Sequence, residues 1–404
     1  MNLRSAEPFW PFHTPVLASY PALCEDLRAE VIVVGSGISG ALAAYELIRA
    51  GCKVVMISKS RPASDSTAAT TALLQYEIDT PLRELIDKVG PHDAERSYLL
   101  CHDSIDQLDK VHKAVGATKV FHKRKSLLLA AKKKDVDDLW LEYELRRDIG
   151  ISVQWLDGND VKERWGLDNA AAIYSAQGAE TDAYLLTQKI LQWCHAQGAQ
   201  IYDHAGVTAI HESEREVTLT TDRGYALRAK YAVMATGYEA TKWLDRNVAR
   251  LHSTYAIISK PVPREQLWRD RCLIWDTAKP YLYMRTTSDD RIIIGGKDET
   301  WQSGHKRDVL IRRKSDELCR AFQKKFPFVD FHIDYEWAGT FGETADGLPY
   351  IGPAKKHSRV FYSLGYGGNG ITFSQIGAVI LRDLITGRGN KDAGIFSFDR
   401  LNYQ

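Results

Sequence analysis

The sequence predicts a mixed α/β fold in which both ends of the chain build one domain and the middle builds another. Three observations predict it. Near the N-terminus an apolar strand, a glycine turn and a helix lead straight into a second apolar strand, "EVIVVGSGISGALAAYELIRAGCKVVMISK". At the C-terminus "VFYSLGYGGNGITFSQIGAVILRDLITG" repeats the strand, glycine turn, helix order. From about 251 to 300 strands dominate. The boundaries read as an arm over 1–29, a discontinuous nucleotide-binding domain over 30–80, 151–250 and 331–404, and a substrate domain over 81–150 and 251–330.

The elements follow in order. Residues 1–29 are rich in proline and aromatics and suit an arm laid over a surface. "EVIVVGS" is a short apolar run ending in glycine, a buried strand. The helix after it opens with small residues and is closed by Gly51, and "KVVMISK" is the next strand. A β-α-β unit this short implies neighbouring parallel strands with a right-handed crossover. "PLRELIDKVG", "DAERSYLLCHDSIDQLDKVHKAVG" and "KDVDDLWLEYELRRDIG" have helical spacing, with the strand "KSLLLAA" among them. "AQGAETDAYLLTQKILQWCHAQGAQIYDH" reads as helix then strand, and "VTAIHESEREVTLTTDRGYALRAKYAVMATG" as a β-meander. "STYAIISKPV", "CLIWDTAKPYLYMRTTS" and "DRIIIGGKD" are strands, and "DVLIRRKSDELCRAFQKKFP" is a helix.

The chain has 404 residues, enough for two or three domains. A formal charge of +1 argues against nucleic acid as a partner. The basic runs His122-Lys123-Arg124-Lys125 and Lys132-Lys133-Lys134 read as solvated faces. Six scattered cysteines without a CxxC pair suggest reduced thiols of a cytoplasmic protein and no zinc site. No signal-peptide core and no run of about eighteen apolar residues stands out, so neither export nor a membrane span is expected. No metal site is expected either, since H-E-x-x-H and EF-hand patterns do not occur.

Gly35-Ser36-Gly37-Ile38-Ser39-Gly40 fits G-x-G-x-x-G between a strand and a helix. The first glycine allows the turn, the second lets backbone approach a pyrophosphate, and the third lets helix and strand pack. The helix N-terminus adds free N–H groups and a positive dipole end. This predicts a dinucleotide. Its kind is less direct, because the acid expected to hold a ribose at the end of the second strand is Ser58, followed by Lys59, Ser60 and Arg61. That set suits the 2′-phosphate of NADP as well as a ribose held by a neutral bond. "YAVMATGYE" places small residues, Thr236 and Gly237, at another strand end. "DGLPYIG", with Gly347, and "GYGGNGITF", with Gly367, Gly368 and Gly370 before a helix starting near Ile371 and Thr372, offer a second helix N-terminus. It can stabilise the negative charge of a reduced flavin, which a nicotinamide ring does not need.

These stretches, with "STAATTALLQYE", "YLYMRTTSDDRIIIGG" and "WAGTFGETADGLPYIGP", resemble the D-amino-acid-oxidase-like group of FAD-dependent oxidoreductases, which contains glycine oxidase, sarcosine oxidase and D-amino-acid dehydrogenase. The resemblance runs in family order along nearly the whole chain. It implies a Rossmann-like FAD-binding domain and a substrate domain whose antiparallel sheet roofs the flavin. It implies non-covalent FAD held by the Gly35–Gly40 loop, by Ser58 and Lys59, and by Ser66, Thr67, Thr71, Leu73 and Leu74 along pyrophosphate and ring. Val207, Thr236, Gly237 and Gly347 join them, and Gly367, Gly368, Asn369, Gly370, Ile371 and Thr372 would cradle the pyrimidine end.

Two departures stand out: Ser58, and "WAGTFGETADGLP", where several amino-acid-oxidising relatives carry Arg-Pro near Phe341-Gly342. Such an arginine can pair bidentately with a substrate carboxylate. Arg285 could replace it, or could be a structural arginine paired with Asp289, Asp290 or Glu343. Glu343 could bind an amine, or could be a surface or capping residue. Tyr255, Tyr283, Trp337 and Tyr366 are pocket candidates that could equally be packing aromatics. Gln75, Tyr76 and Glu77 follow the flavin-proximal segment, and His252 reads as a satisfied histidine. The catalytic candidates are therefore Arg285, Tyr255, Glu343 and Tyr366. The expected reaction is hydride transfer from a C–H next to nitrogen, in a small amine or amino acid, to flavin N5, giving an imine. An NADP-dependent dehydrogenase and a non-catalytic flavin-binding subunit are the alternatives.

Overall fold

Val31–Val34, the end of the strand Leu27–Val34, are buried on both faces, as a continuous apolar run requires of a central parallel strand. A computed structural model, describing residues 3–5, 7–245, 247–355 and 358–402, shows that strand in the middle of the first sheet. It pairs in parallel with Val54–Ile57 on one side and Ala226–Met234 on the other. Gln200–Tyr202 extends one edge. The meander Val207–Glu212, Val217–Thr221 and Ala226–Met234 forms the other. Val360–Leu364 pairs in parallel with the end of Ala226–Met234, so the two chain ends meet in one sheet. Helix Ile38–Arg49 lies between helices Ala183–Ala196 and Gly370–Ile385. Its Ala41, Ala43 and Ala44 are wholly buried and keep the three close.

A second, largely antiparallel sheet stands over the first. Its order runs Ile333–Glu343, Arg250–Ser259, Ile292–Thr300, Leu282–Thr286, Leu273–Asp276, Ser126–Leu129, Ala171–Ser175 and Val153–Asp157. Helix Ile311–Lys325 packs on one face, burying Leu318 and Phe322 with Tyr255, Ile257, Met284 and Ile294. The opposite face looks into a cleft shared with the first sheet.

Strand pairing redraws the expected boundaries. Val153–Asp157, Ala171–Ser175 and Ile333–Glu343, read as nucleotide-domain residues, belong to the roof sheet. Helix Pro91–Ala114, read as substrate domain, packs against Gly370–Ile385 on the nucleotide side. Strands join whichever sheet edge satisfies their backbone groups, wherever they lie in the chain. The arm is a strap. The Ser5 amide donates to Ala338 O and the Thr340 amide to Leu3 O, both at 2.9 Å. The Trp10 indole donates to Thr70 O at 2.7 Å. Among the described residues no helix is long and apolar enough to cross a membrane.

Candidate active site

The cleft between the sheets begins at the strand end Val34 and the turn after it. Gly35 has φ +112°, and a Cβ there would stand 2.3 Å from Ala235 O. A Cβ on Gly40 would stand 1.9 Å from Gly35 O. Both positions exclude any side chain, which at Gly35 brings bare backbone against the cleft and at Gly40 lets helix and turn pack closely. Helix Ile38–Arg49 starts with Gly37 at its cap; its first amide, Ile38 N, donates to Thr67 Oγ1 at 3.1 Å, and the positive end of the helix faces the cleft beside it. Ser66 Oγ and Thr236 Oγ1 lie on the same wall, shielded from water and without a hydrogen-bond partner among the described residues. Unsatisfied hydroxyls beside a glycine turn and a helix start fit the pyrophosphate and ribose of a dinucleotide. The second helix start fits as well: Gly370–Ile385 has Asn369 at its cap and no side-chain cap bond.

Most of the expected cofactor residues come together here. Gly35, Gly37, Ile38, Ser39, Ser58, Lys59, Ser66, Thr67, Thr71, Leu73, Val207, Thr236, Gly237, Gly367, Gly368, Asn369, Gly370 and Ile371 all line the cleft. Four do not. Gly40 is the packing contact just described. Leu74 is fully buried behind the wall. The amide of Gly347 bonds Thr344, away from the cleft. The Thr372 hydroxyl donates back to Asn369 O at 3.0 Å. Lys59, a candidate reader of a 2′-phosphate, is paired with Glu239 at 2.7 Å.

The catalytic candidates fare differently. Tyr366 lines the cleft and donates to Ser363 Oγ at 2.6 Å. Arg285 is not on the wall. It is 2 % exposed and donates to the carbonyls of Thr71 (2.7 Å), Thr286 (3.1 Å) and Thr181 (3.0 Å). Its charge partner is Glu180, at 3.6 Å, in place of the Asp289, Asp290 or Glu343 expected. Those bonds occupy three of its five donors, and its burial off the cleft wall keeps it from a substrate carboxylate. Tyr255 points the wrong way: Thr254 faces the cleft, and strand alternation turns Tyr255 into the core under helix Ile311–Lys325. Glu343 is exposed, off the cleft wall, and 3.4 Å from His252. Trp337 is buried and ties the roof to Ala69 O at 2.8 Å. Tyr76 is fully buried, its hydroxyl on Ser175 at 2.6 Å, while Gln75 and Glu77 line the cleft.

What sequence reasoning missed is a group of acids and rings. Asp79, Asp298, Trp275 and Tyr281 line the cleft with Thr254, beside Tyr283, which was expected there. Asp79 accepts from the Gly368 amide at 2.6 Å and from the Tyr281 hydroxyl at 2.8 Å. The Tyr281 and Tyr283 rings lie 5.7 Å apart, and Trp275 meets Tyr281 edge-on at 6.0 Å. Burial, opposed by the bond from Thr254 and reinforced by Asp79, pushes the Asp298 carboxyl up to about 6. Burial also raises Asp79, against the bonds from Gly368 and Tyr281. Glu77 is raised by burial too, with Arg146 opposing. Two signals were available. Asp79 sits two residues beyond the flagged Glu77. Tyr281 stands two before Tyr283, on the same strand face. Phe341 lines the wall.

A family model for FAD-dependent oxidoreductases, designated DAO, matches residues 30–384. The chain belongs to this family. It is an FAD-dependent oxidoreductase, and the glycine turn, orphan hydroxyls and second helix start are where its own residues would hold FAD. FAD dependence and the Lys59–Glu239 pair together set aside the NADP reading. Glycine oxidase of Geobacillus kaustophilus is 25 % identical over 374 residues, covering 89 % of this chain and 93 % of the relative. Gamma-glutamylputrescine oxidoreductase of Escherichia coli K12 is 22 % identical over 388 residues, covering 92 % and 86 %. A Bacillus subtilis protein described as a putative Rieske 2Fe-2S iron-sulfur protein is 23 % identical over 402 residues, covering 99 % of this chain and 76 % of its own. Among solved structures, the Geobacillus kaustophilus glycine oxidase superposes with a TM-score of 0.76 at 21 % identity, over 92 % of this chain and 98 % of that one.

Proposed function

We propose that this flavoenzyme oxidises the C–H bond beside an amine nitrogen to an imine, by hydride transfer, and that its substrates are amines recognised by their positive charge. The observation that carries the reading is the charge of the cleft wall. Asp79, Asp298 and Glu77 stand there with three aromatic rings, whereas the lining cations are Lys59, Arg61 and Lys242. Lys59 adjoins Ser58 and pairs with Glu239, in the part of the cleft assigned to the adenosine. Arg285 is buried off the wall with three donors on carbonyls, and Phe341 is uncharged. A substrate carboxylate would therefore meet acids, at a cost, and an ammonium would meet opposite charge and ring faces. Relatives named for an amino acid and for an amine conjugate support nitrogen-bearing substrates in general.

FAD, when bound, supplies the two-electron acceptor. The chain's residues bind and orient. The helix starts at Gly37 and Asn369 favour negative charge, and Ser66 and Thr236 offer hydroxyls for hydrogen bonds. The substrate loses a hydride from carbon and a proton from nitrogen, and water then hydrolyses the C=N bond. No side-chain base is required once the nitrogen is neutral. Anaerobic titration of the yellow holoenzyme with a panel of alkylamines and α-amino acids tests this. Bleaching of the flavin absorbance by amines is expected. Bleaching by α-amino acids alone would refute the amine reading.

A further inference from the structure

We infer that Asp79 and Asp298, walled by Trp275, Tyr281 and Tyr283, form a subsite for a second, permanently charged ammonium, so that the substrate is a diamine or polyamine. The inference rests on the amine-oxidising function proposed above and deepens it.

The chemistry requires two different nitrogens. The nitrogen beside the broken C–H bond must offer a lone pair. Carboxylates within contact of an amine favour its protonated form. A nitrogen seated between Asp79 and Asp298 is thus held charged and cannot be the reacting one. The two carboxylates suit a guest that stays charged. Asp298 Oδ1 is shielded from water and has no hydrogen-bond partner among the described residues. The basic group whose charge reaches Asp298, Lys314, has its Nζ on Glu299 at 2.5 Å. Asp79 is fixed from two sides, by the Gly368 amide and the Tyr281 hydroxyl. Thr254 lies 3.4 Å from the Tyr283 hydroxyl and links the Asp298 and tyrosine parts of the wall. Ring faces complete the subsite, since an ammonium over an aromatic face is attracted by the ring quadrupole.

The test uses holoenzyme reduced with dithionite, in which binding is not followed by turnover. Calorimetry at pH 8 compares α,ω-diaminoalkanes of graded length with n-alkylamines of matched length. The best diamine is expected to bind about 10- to 100-fold tighter than its monoamine partner, the range of one charge-assisted contact. Asp298→Asn should abolish most of that advantage, read as the ratio of diamine to monoamine affinity. Asp79→Asn, the second variant, should do the same. Equal affinities for diamines and monoamines in the wild type, or a diamine advantage that survives both substitutions, would overturn the inference. The two readings fail separately. If monoamines and diamines bleach the oxidised flavin equally well, the amine reaction stands and the subsite falls. If no amine bleaches it but the diamine advantage depends on Asp298, the subsite stands and the reaction falls.

Discussion

Replacing Asp298 by Asn should stabilise the protein at high pH while weakening its grip on cations. The folded protein holds the Asp298 carboxyl at about 6, against an ordinary value of 3.8. Such a group binds its proton more tightly folded than unfolded. Its ionisation therefore costs stability as pH rises, with no cost below about 3.8 and the full cost above about 6. At 1.36 kcal/mol per unit, the shift corresponds to about 3 kcal/mol, an upper figure. Unfolding entropy of about 2.1 cal/mol/K per residue over 404 residues converts this to about 3 °C in Tm. Groups acting on Asp298 from its neighbours are Thr254, Asp79, Glu343 and Lys314. Burial dominates them, so the cost belongs to the carboxylate itself. The assay is thermal unfolding of FAD-saturated wild type and Asp298→Asn at pH 5 and pH 8. The Asn variant should melt about 3 °C higher at pH 8, and the gap should narrow at pH 5. A saturating diamine at pH 8 should raise the wild-type Tm and leave the variant's nearly unchanged. A gap that fails to widen with pH would show that Asp298 is not a desolvated acid, and the cation subsite would lose its physical basis.

Two further outcomes follow from particular residues. Ser58 lines the cleft at the end of the second strand, where a carboxylate could make a charge-assisted bond to a ribose hydroxyl, so Ser58→Glu should tighten FAD by about 1 kcal/mol, roughly fivefold in Kd. Release of flavin fluorescence on dilution measures it, and unchanged affinity would remove Ser58 from the ribose. Arg285→Met removes three bonds to carbonyls, while Glu180 keeps Arg124 at 2.8 Å, so it should cost about 3 kcal/mol, roughly 1 per bond, and lower Tm. A variant with wild-type Tm but a raised KM for carboxylate-bearing substrates would return Arg285 to the role of substrate ligand.

The sequence by itself determined the glycine-rich turns that line the cleft. Gly35 to Gly40 between a strand and a helix, Thr236 and Gly237 at a strand end, and Gly367 to Ile371 before a helix are local patterns, each built within a few residues. The geometry they need is written into the glycines, and the structure gathers them on one wall. Parallel pairing of the first two strands was equally local. The domain boundaries were not, because backbone pairing carried Val153–Asp157 and Ala171–Ser175 across to the roof.

Only the tertiary structure decided the substrate end. Arg285 shares a strand face with Tyr283, yet the Thr71 and Thr181 segments fold over it and take its donors. Tyr255 and Thr254 are neighbours in sequence and enemies in orientation, since successive strand residues point to opposite faces. Asp298 is the clearest case. Simple alternation from Ile292 and Ile294, which face helix Ile311–Lys325, would send Asp298 into that core. The pairing with the neighbouring strand instead moves from Tyr255–Gly296 to Ser253–Glu299, which fits one extra residue into Ile292–Thr300. Lys297, at φ +59°, absorbs it. One bulged residue reverses the faces beyond it, and an aspartate that the pattern alone would bury beneath a helix lines the cleft instead.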